Sequence, residues 1–166
     1  MNRNKTLRLT LAGILCAVAV VGSAISFPVL SSKCAPVQHM VNVIAGVILG
    51  PWYAFGMAFC ASLIRNLLGM GSLLAFPGSM CGALLCGLAY QKGKRVYAAV
   101  LGEIIGTGII GGLLAYPVAI AFMGVDAGAV AFYAYVVPFL VSTIAGACIS
   151  GVVIAYLARM GLLKRL

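Results

Sequence analysis

Between residues 34 and 53 the chain reads CAPVQHMVNVIAGVILGPWY, placing Gln38, His39 and Asn42 inside an otherwise apolar run. His39 is the single histidine of the chain. Asn42 lies three and four residues beyond the other two, so on a helix all three share a face. Arg65 and Asn66 close a later apolar run, AFPGSM brings Phe76 and Ser79 to the start of the next, and Glu103 and Thr107 stand one helical turn apart in a third. Side chains that donate and accept hydrogen bonds, together with the aromatics Phe76, Tyr116 and Tyr133, suit capture of a small, planar, polar organic molecule. An ionisable group within a membrane span costs at least about 2.5 kcal/mol on insertion scales, so Arg65 and Glu103 are expected to face an interior or a cavity. At about 1.5 Å of rise per residue, Glu103 should lie some 10 Å deeper than Arg65, and a direct pair would need offset helices.

The runs that carry these residues read as membrane spans. The 166 residues are 64% hydrophobic and 8% charged, with a mean hydropathy of +1.17, so a water-soluble domain would lack the polar residues to cover its surface. About 20 residues per span predict an all-α integral membrane protein with six transmembrane helices in a single domain over residues 1–166. The spans fall at 9–30, 38–50, 51–68, 77–91, 96–118 and 134–158. Gly50-Pro51 is a tight stop and restart after the short second span, and Trp52 and Tyr53 suit an interfacial aromatic belt. The N-terminus imitates a secretion signal, but the apolar stretch from Leu9 to Leu30 outruns the roughly 7–15 residues of a signal core and predicts a retained helix.

Arg3, Lys5 and Arg8, then Lys92, Lys94 and Arg95, then Arg159, Lys164 and Arg165 fall on one side of these spans, nine of the eleven basic residues. Only Lys33 and Arg65 lie near the other, so the positive-inside rule predicts cytoplasmic N- and C-termini. The outer connections are then 31–37, 69–76 and 119–133. The formal charge of +9 is distributed in short clusters and not on one water-exposed face, which argues against nucleic acid.

Small residues recur four apart at Ala12 and Cys16, Gly13 and Ala17, Gly78 and Gly82, Gly102 and Gly106, Gly108 and Gly112, and Ser142, Gly146 and Ser150. In lipid such rows let helices approach closely. The row on the first span, Ala12, Cys16, Ala19 and Ser23, suits either packing within the chain or a second membrane protein. Six cysteines contain no CxxC pair, and all but Cys34 fall in apolar runs. They read as small interior residues, with no metal or cofactor expected. No GxxxxGK[ST], HExxH or GxSxG motif occurs, and the only acids are Glu103 and Asp126. A membrane enzyme using His39 as acid or base would need a nucleophile or carboxylate beside it near the outer face. A purely structural subunit would bind no small molecule.

Three blocks, SSKCAPVQHMVNVIAGVILGPWYA (31–54), SLIRNLLGMGSLLAFPGSMCGALL (62–85) and GEIIGTGIIGGLLAYP (102–117), resemble the thiazole-specific substrate-binding component, ThiW, of energy-coupling factor (ECF) vitamin transporters. The resemblance runs from about residue 8 to 158. It implies a six-helix S component in a bacterial or archaeal cytoplasmic membrane that captures hydroxyethylthiazole, a thiamin precursor, from outside. Thiamin or another precursor is the alternative ligand. It also implies a transmembrane coupling T component, docked on small residues of the first helix at Ala12, Cys16 and Ala19, and two separate ATPase subunits. In such a protein the connection 31–37 would lid a pocket built from spans two to six.

Overall fold

Proline opens two of the helices, where its missing N–H is one that a first turn leaves unbonded anyway: Pro36 starts α2 (Pro36–Ile48) and Pro51 starts α3 (Pro51–Leu67). Gly50, at a φ of 88°, makes the turn between them. In the computed structural model, which describes residues 3–29 and 32–161, four further helices complete the bundle. They are α1 (Arg3–Gly22), α4 (Ala75–Gly93), α5 (Val96–Met123) and α6 (Val136–Arg159). Three of the six hold stretches long and apolar enough to cross a membrane, at Lys5–Gly22, Val96–Met123 and Val136–Arg159.

The first span is shorter than the sequence reading, which carried it to residue 30. It stops at Gly22, and the Ser23 hydroxyl turns back onto the Val20 carbonyl. The next residues form an antiparallel hairpin, β1 (Phe27–Val29) with β2 (Ser32–Cys34), pairing Phe27 with Cys34. Pro28 explains the switch, since the residue before a proline is pushed from helical to extended backbone.

The short second helix is the hub. α2 touches all five other helices, and Val41, Asn42, Val43 and Ala45 have no exposed surface. Its 13 residues cover only about 20 Å, so it begins well inside the bundle, with the hairpin above its start. That start, together with those of α4 and α6 and the end of α3, lies at the end of the bundle remote from the basic turn Lys92–Arg95 between α4 and α5.

α5 meets α4 along glycines. Cβ atoms at Gly102 and Gly106 would come within 2.9 Å of Cys86 Cα and 2.6 Å of Gly82 Cα, and Gly111 lies against Gly78 in the same way. The step from 102 to 106 is an α-helical one, but the step from 106 to 111 is one residue longer. The extra residue is absorbed by wide π-helical turns over Ile104–Gly111, which keep bulky Ile110 out of the contact and bring Gly111 into it. On the adjoining face Gly108 and Gly112 lie against Leu140 and Val136 of α6. In Gly106→Leu the side chain has no space, and overpacking of about 1–3 kcal/mol should lower the melting temperature of the detergent-purified protein by roughly 3–10 °C. Gly13→Leu, where a Cβ meets nothing within 4 Å, serves as the control and should melt with the parent. Equal melting of Gly106→Leu and the parent would remove the glycine contact from this account.

Candidate functional site

The polar edge of α2 faces α4 and α5. Gln38 accepts from Arg65 Nη1 at 2.8 Å through its Oε1 and donates to Ser79 Oγ at 2.8 Å through its Nε2. Asn42, one turn further, donates to Glu103 Oε1 at 3.0 Å and also reaches Ser79, with its backbone oxygen and Oγ both at 3.3 Å. His39 Nδ1 lies 3.1 Å from the same Glu103 oxygen. Thr107 Oγ1 stands 2.9 Å from it and 2.9 Å from the Gly78 carbonyl. Three side chains therefore converge on Glu103 Oε1, while Oε2 has no hydrogen-bond partner. Glu103 itself has no exposed surface. A Cβ on Gly82 would lie 2.6 Å from Oε2, so the bare backbone of α4 provides the room in which the carboxylate sits.

Arg65 and Glu103 do not pair. Counted from the basic end at about 1.5 Å per residue, Glu103 stands near 10 Å, His39 near 14 Å and Arg65 near 21 Å. The depth expected for Glu103 relative to Arg65 thus agrees with the helix positions, while His39 sits deeper than an outer helix start implies, because α2 begins inside the bundle. The two charged groups are joined through Gln38, Ser79 and Asn42 instead.

Beside this network is a cavity of about 30 Å³ lined by Ala35, Gln38, His39, Arg65, Ala75, Ser79, Thr107, Phe139 and Ser142. One water needs about 10–15 Å³ of such space, so the cavity has room for about two waters and is too small for an organic ring. The hairpin secures it from above: Cys34 Sγ donates to the Pro138 carbonyl at 3.3 Å, and Ala35 N–H donates to Ser142 Oγ at 3.0 Å. Entry of a larger molecule requires these contacts to α6 to part, or the helix starts to separate.

Of the residues singled out from sequence, Gln38, His39, Arg65, Ser79 and Thr107 line this cavity, and Asn42 and Glu103 lie directly behind it. The other four are elsewhere. Asn66 donates to the carbonyls of Ser62 at 2.9 Å and Ser72 at 3.1 Å, fastening the turn after α3. Phe76 packs edge-on against Phe59 with ring centres 5.8 Å apart. The Tyr116 hydroxyl donates to the Ala127 carbonyl at 3.0 Å, and Tyr133 is 57% exposed against Phe132. Phe139 and Ser142, which do line the cavity, were not among the expected site residues. Their signal was present in VVPFLVST, an aromatic and a hydroxyl three apart at the start of the last helix, but Ser142 read as part of a packing row.

The small residues of α1 pack mainly within the chain. Ala12, Cys16 and Ala19 face inward in one apolar cluster with Val41, Ala45, Met57, Ala58 and Ala61, and Ala19 is wholly covered. Ala12 and Cys16 reach the floor of an open apolar groove between α1 and α3, whose walls include Leu9, Gly13, Trp52, Gly56 and Cys60.

Among the described residues no hydroxyl or thiol is hydrogen-bonded to the His39 ring, so its pairing with Glu103 orients the imidazole without activating a nucleophile. Residues 9–160 match the family described as thiamine-precursor transporter protein (ThiW). No curated protein matches the chain. The network itself makes a stability prediction: Glu103→Leu leaves His39 Nδ1 without its partner, at about 1–3 kcal/mol for a buried orphan, while Asn42 keeps Ser79 and Thr107 keeps the Gly78 carbonyl. That loss should lower the melting temperature by about 2–12 °C, with Glu103→Gln, which keeps an oxygen, falling in between. Unchanged melting of Glu103→Leu would show that the three contacts contribute nothing.

Proposed function

The chain belongs to the ThiW family of thiamine-precursor transporters, and from that premise we propose that it is the S component of an ECF transporter, capturing hydroxyethylthiazole. The observation that carries this reading is the single wall of Gln38, His39, Arg65, Ser79 and Thr107 around one cavity in an otherwise apolar bundle. A small heterocycle with one hydroxyl needs a few fixed polar partners and an apolar surround, and this wall has that composition. With Nδ1–H donated to the Glu103 carboxylate, His39 keeps a lone pair on Nε2 to accept from a ligand hydroxyl. Phe139 offers a ring face to the heterocycle.

In this reading the six-helix bundle spans a bacterial or archaeal cytoplasmic membrane, with both termini cytoplasmic as the basic clusters favour. The cavity then lies toward the outer face, and the hairpin with residues 31–37 is its lid, closing over the ligand. The T component docks in the groove between α1 and α3, where Gly13 and Gly56 leave room for a partner helix and Ala12 and Cys16 form the floor. Ala19, being covered, takes no part. Two ATPase subunits supply the hydrolysis for which this chain has no P-loop.

Mass spectrometry of the ligand retained by detergent-purified protein tests the substrate, with thiamin as the competing outcome. In calorimetry, Gln38→Ala and His39→Ala should each weaken hydroxyethylthiazole binding about tenfold or more, equivalent to about 1.4 kcal/mol, whereas Tyr133→Ala should leave it unchanged. Full affinity in His39→Ala would displace the ligand from this wall. For the docking surface, Gly13→Phe should preserve binding yet reduce uptake at least about tenfold in cells carrying the T component and ATPases, because a bulky side chain blocks close helix approach. Normal uptake by that variant would place the partner on another face.

A further inference from the structure

Arg65 is a buried cation with no carboxylate in contact with it among the described residues. The chain has two acidic side chains: Glu103, which pairs with His39, and Asp126, which accepts from the Gly128 N–H at 3.0 Å in a distant loop. Arg65 is only 4% exposed, lines the cavity, and among the described residues makes one side-chain hydrogen bond, to the neutral amide of Gln38. Its Nε–H is buried with no partner among them. A guanidinium stays protonated throughout the cellular pH range, and a buried donor left unbonded is costly unless something else satisfies it. The charged groups near the cavity act unequally on its contents. Glu103 lies behind the wall, its Oε1 turned to three neighbouring side chains and its Oε2 set against Gly82, whereas Arg65 is part of the wall. Among the described residues the cavity is lined by one phenyl ring, that of Phe139, by the His39 imidazole and by no carboxylate, so it lacks the cage of rings or acids that a cationic ligand requires.

On the reading that the cavity takes a thiazole, we infer that Arg65 is a specificity-determining residue that selects uncharged heterocycles against ring-N-alkylated cations. Its free N–H donates to an oxygen acceptor on the neutral ligand. Its charge repels a thiazolium, the form in which the ring occurs once it is joined to a second ring through nitrogen, and the low dielectric of the bundle interior strengthens that repulsion. The site therefore rejects the assembled cationic vitamin on charge as well as on size.

The test compares 4-methyl-5-(2-hydroxyethyl)thiazole with its N-methylthiazolium salt by calorimetry on the full chain, using the parent protein, Arg65→Lys and Arg65→Met. Lysine and methionine side chains are similar in length and flexibility, so the comparison isolates the charge. The parent and Arg65→Lys should prefer the neutral thiazole by about 30-fold or more, and Arg65→Met should narrow that preference to roughly threefold or less. Parent protein that binds both compounds within about threefold overturns the inference while leaving the thiazole reading intact. An Arg65→Met protein that keeps the full preference also overturns it, because the added methyl group and not the charge would then be what is excluded. Parent protein that binds neither compound overturns the substrate reading and this inference together. Should Arg65→Met fail to fold, Arg65→Gln, which is also uncharged and keeps a polar head, takes its place in the same comparison.

Discussion

A carboxylate placed in the interior of an apolar helix bundle has to be given hydrogen bonds, and the arrangement around Glu103 follows from that requirement. Ionised carboxylates are expensive to move out of water, and only fixed donors make their burial tolerable. Here the donors come from two directions: His39 and Asn42 on α2, and Thr107 one turn along α5 itself. For α2 to present that edge, His39 and Asn42 must lie at the depth of Glu103, which a helix of 13 residues set below a hairpin achieves. Gly82 then has to be bare, since any side chain there would occupy the space of the carboxylate.

The glycine contact between α4 and α5 serves the same end. Close backbone approach along Gly102, Gly106 and Gly111 lets the polar groups of three helices meet within hydrogen-bond distance, and the π-helical turns keep that face continuous past Thr107. On the far side, Gly146 of α6 admits the start of α2 against its backbone, with a Cβ there only 2.9 Å from His39 Cβ. The imidazole is thus held between α6 and Glu103. On the proposed reading such rigidity has a use: a small site whose groups are already oriented would need only to part at the hairpin and helix ends to admit a ligand.

Membership of a thiamine-precursor transporter family agrees with a site built for recognition and not for turnover. The hydrogen bonds of Gln38, Asn42 and Thr107 fix side-chain positions, and among the described residues the His39 ring is hydrogen-bonded to Glu103 and to no hydroxyl or thiol. The α1 surface is organised differently. Its small residues turn mostly inward, so what a neighbour in the membrane would meet is the groove bordered by α3, with exposed Leu9 and Trp52 at its sides.

Composition and spacing were enough to determine an apolar bundle of six helices, the Gly50-Pro51 break, and the identity of the polar residues that gather, because a helix of known period carries Gln38, His39 and Asn42 on one face wherever it is placed. Period does not say which neighbour that face meets. That Glu103 takes His39 and not Arg65 depends on how far α2 is sunk into the bundle. That Ala19 is covered depends on the rotation of α1 against α2 and α3. Phe139 and Ser142 join the wall, and Phe76, Tyr116 and Tyr133 stay away from it, because of where α6 and the 124–135 loop pack. The one-residue lengthening between Gly106 and Gly111 leaves no trace in an apolar run, since every residue there suits lipid or interior equally well. Depth, rotation and register are properties of contacts between helices, and a sequence read one helix at a time contains only the faces that those contacts join.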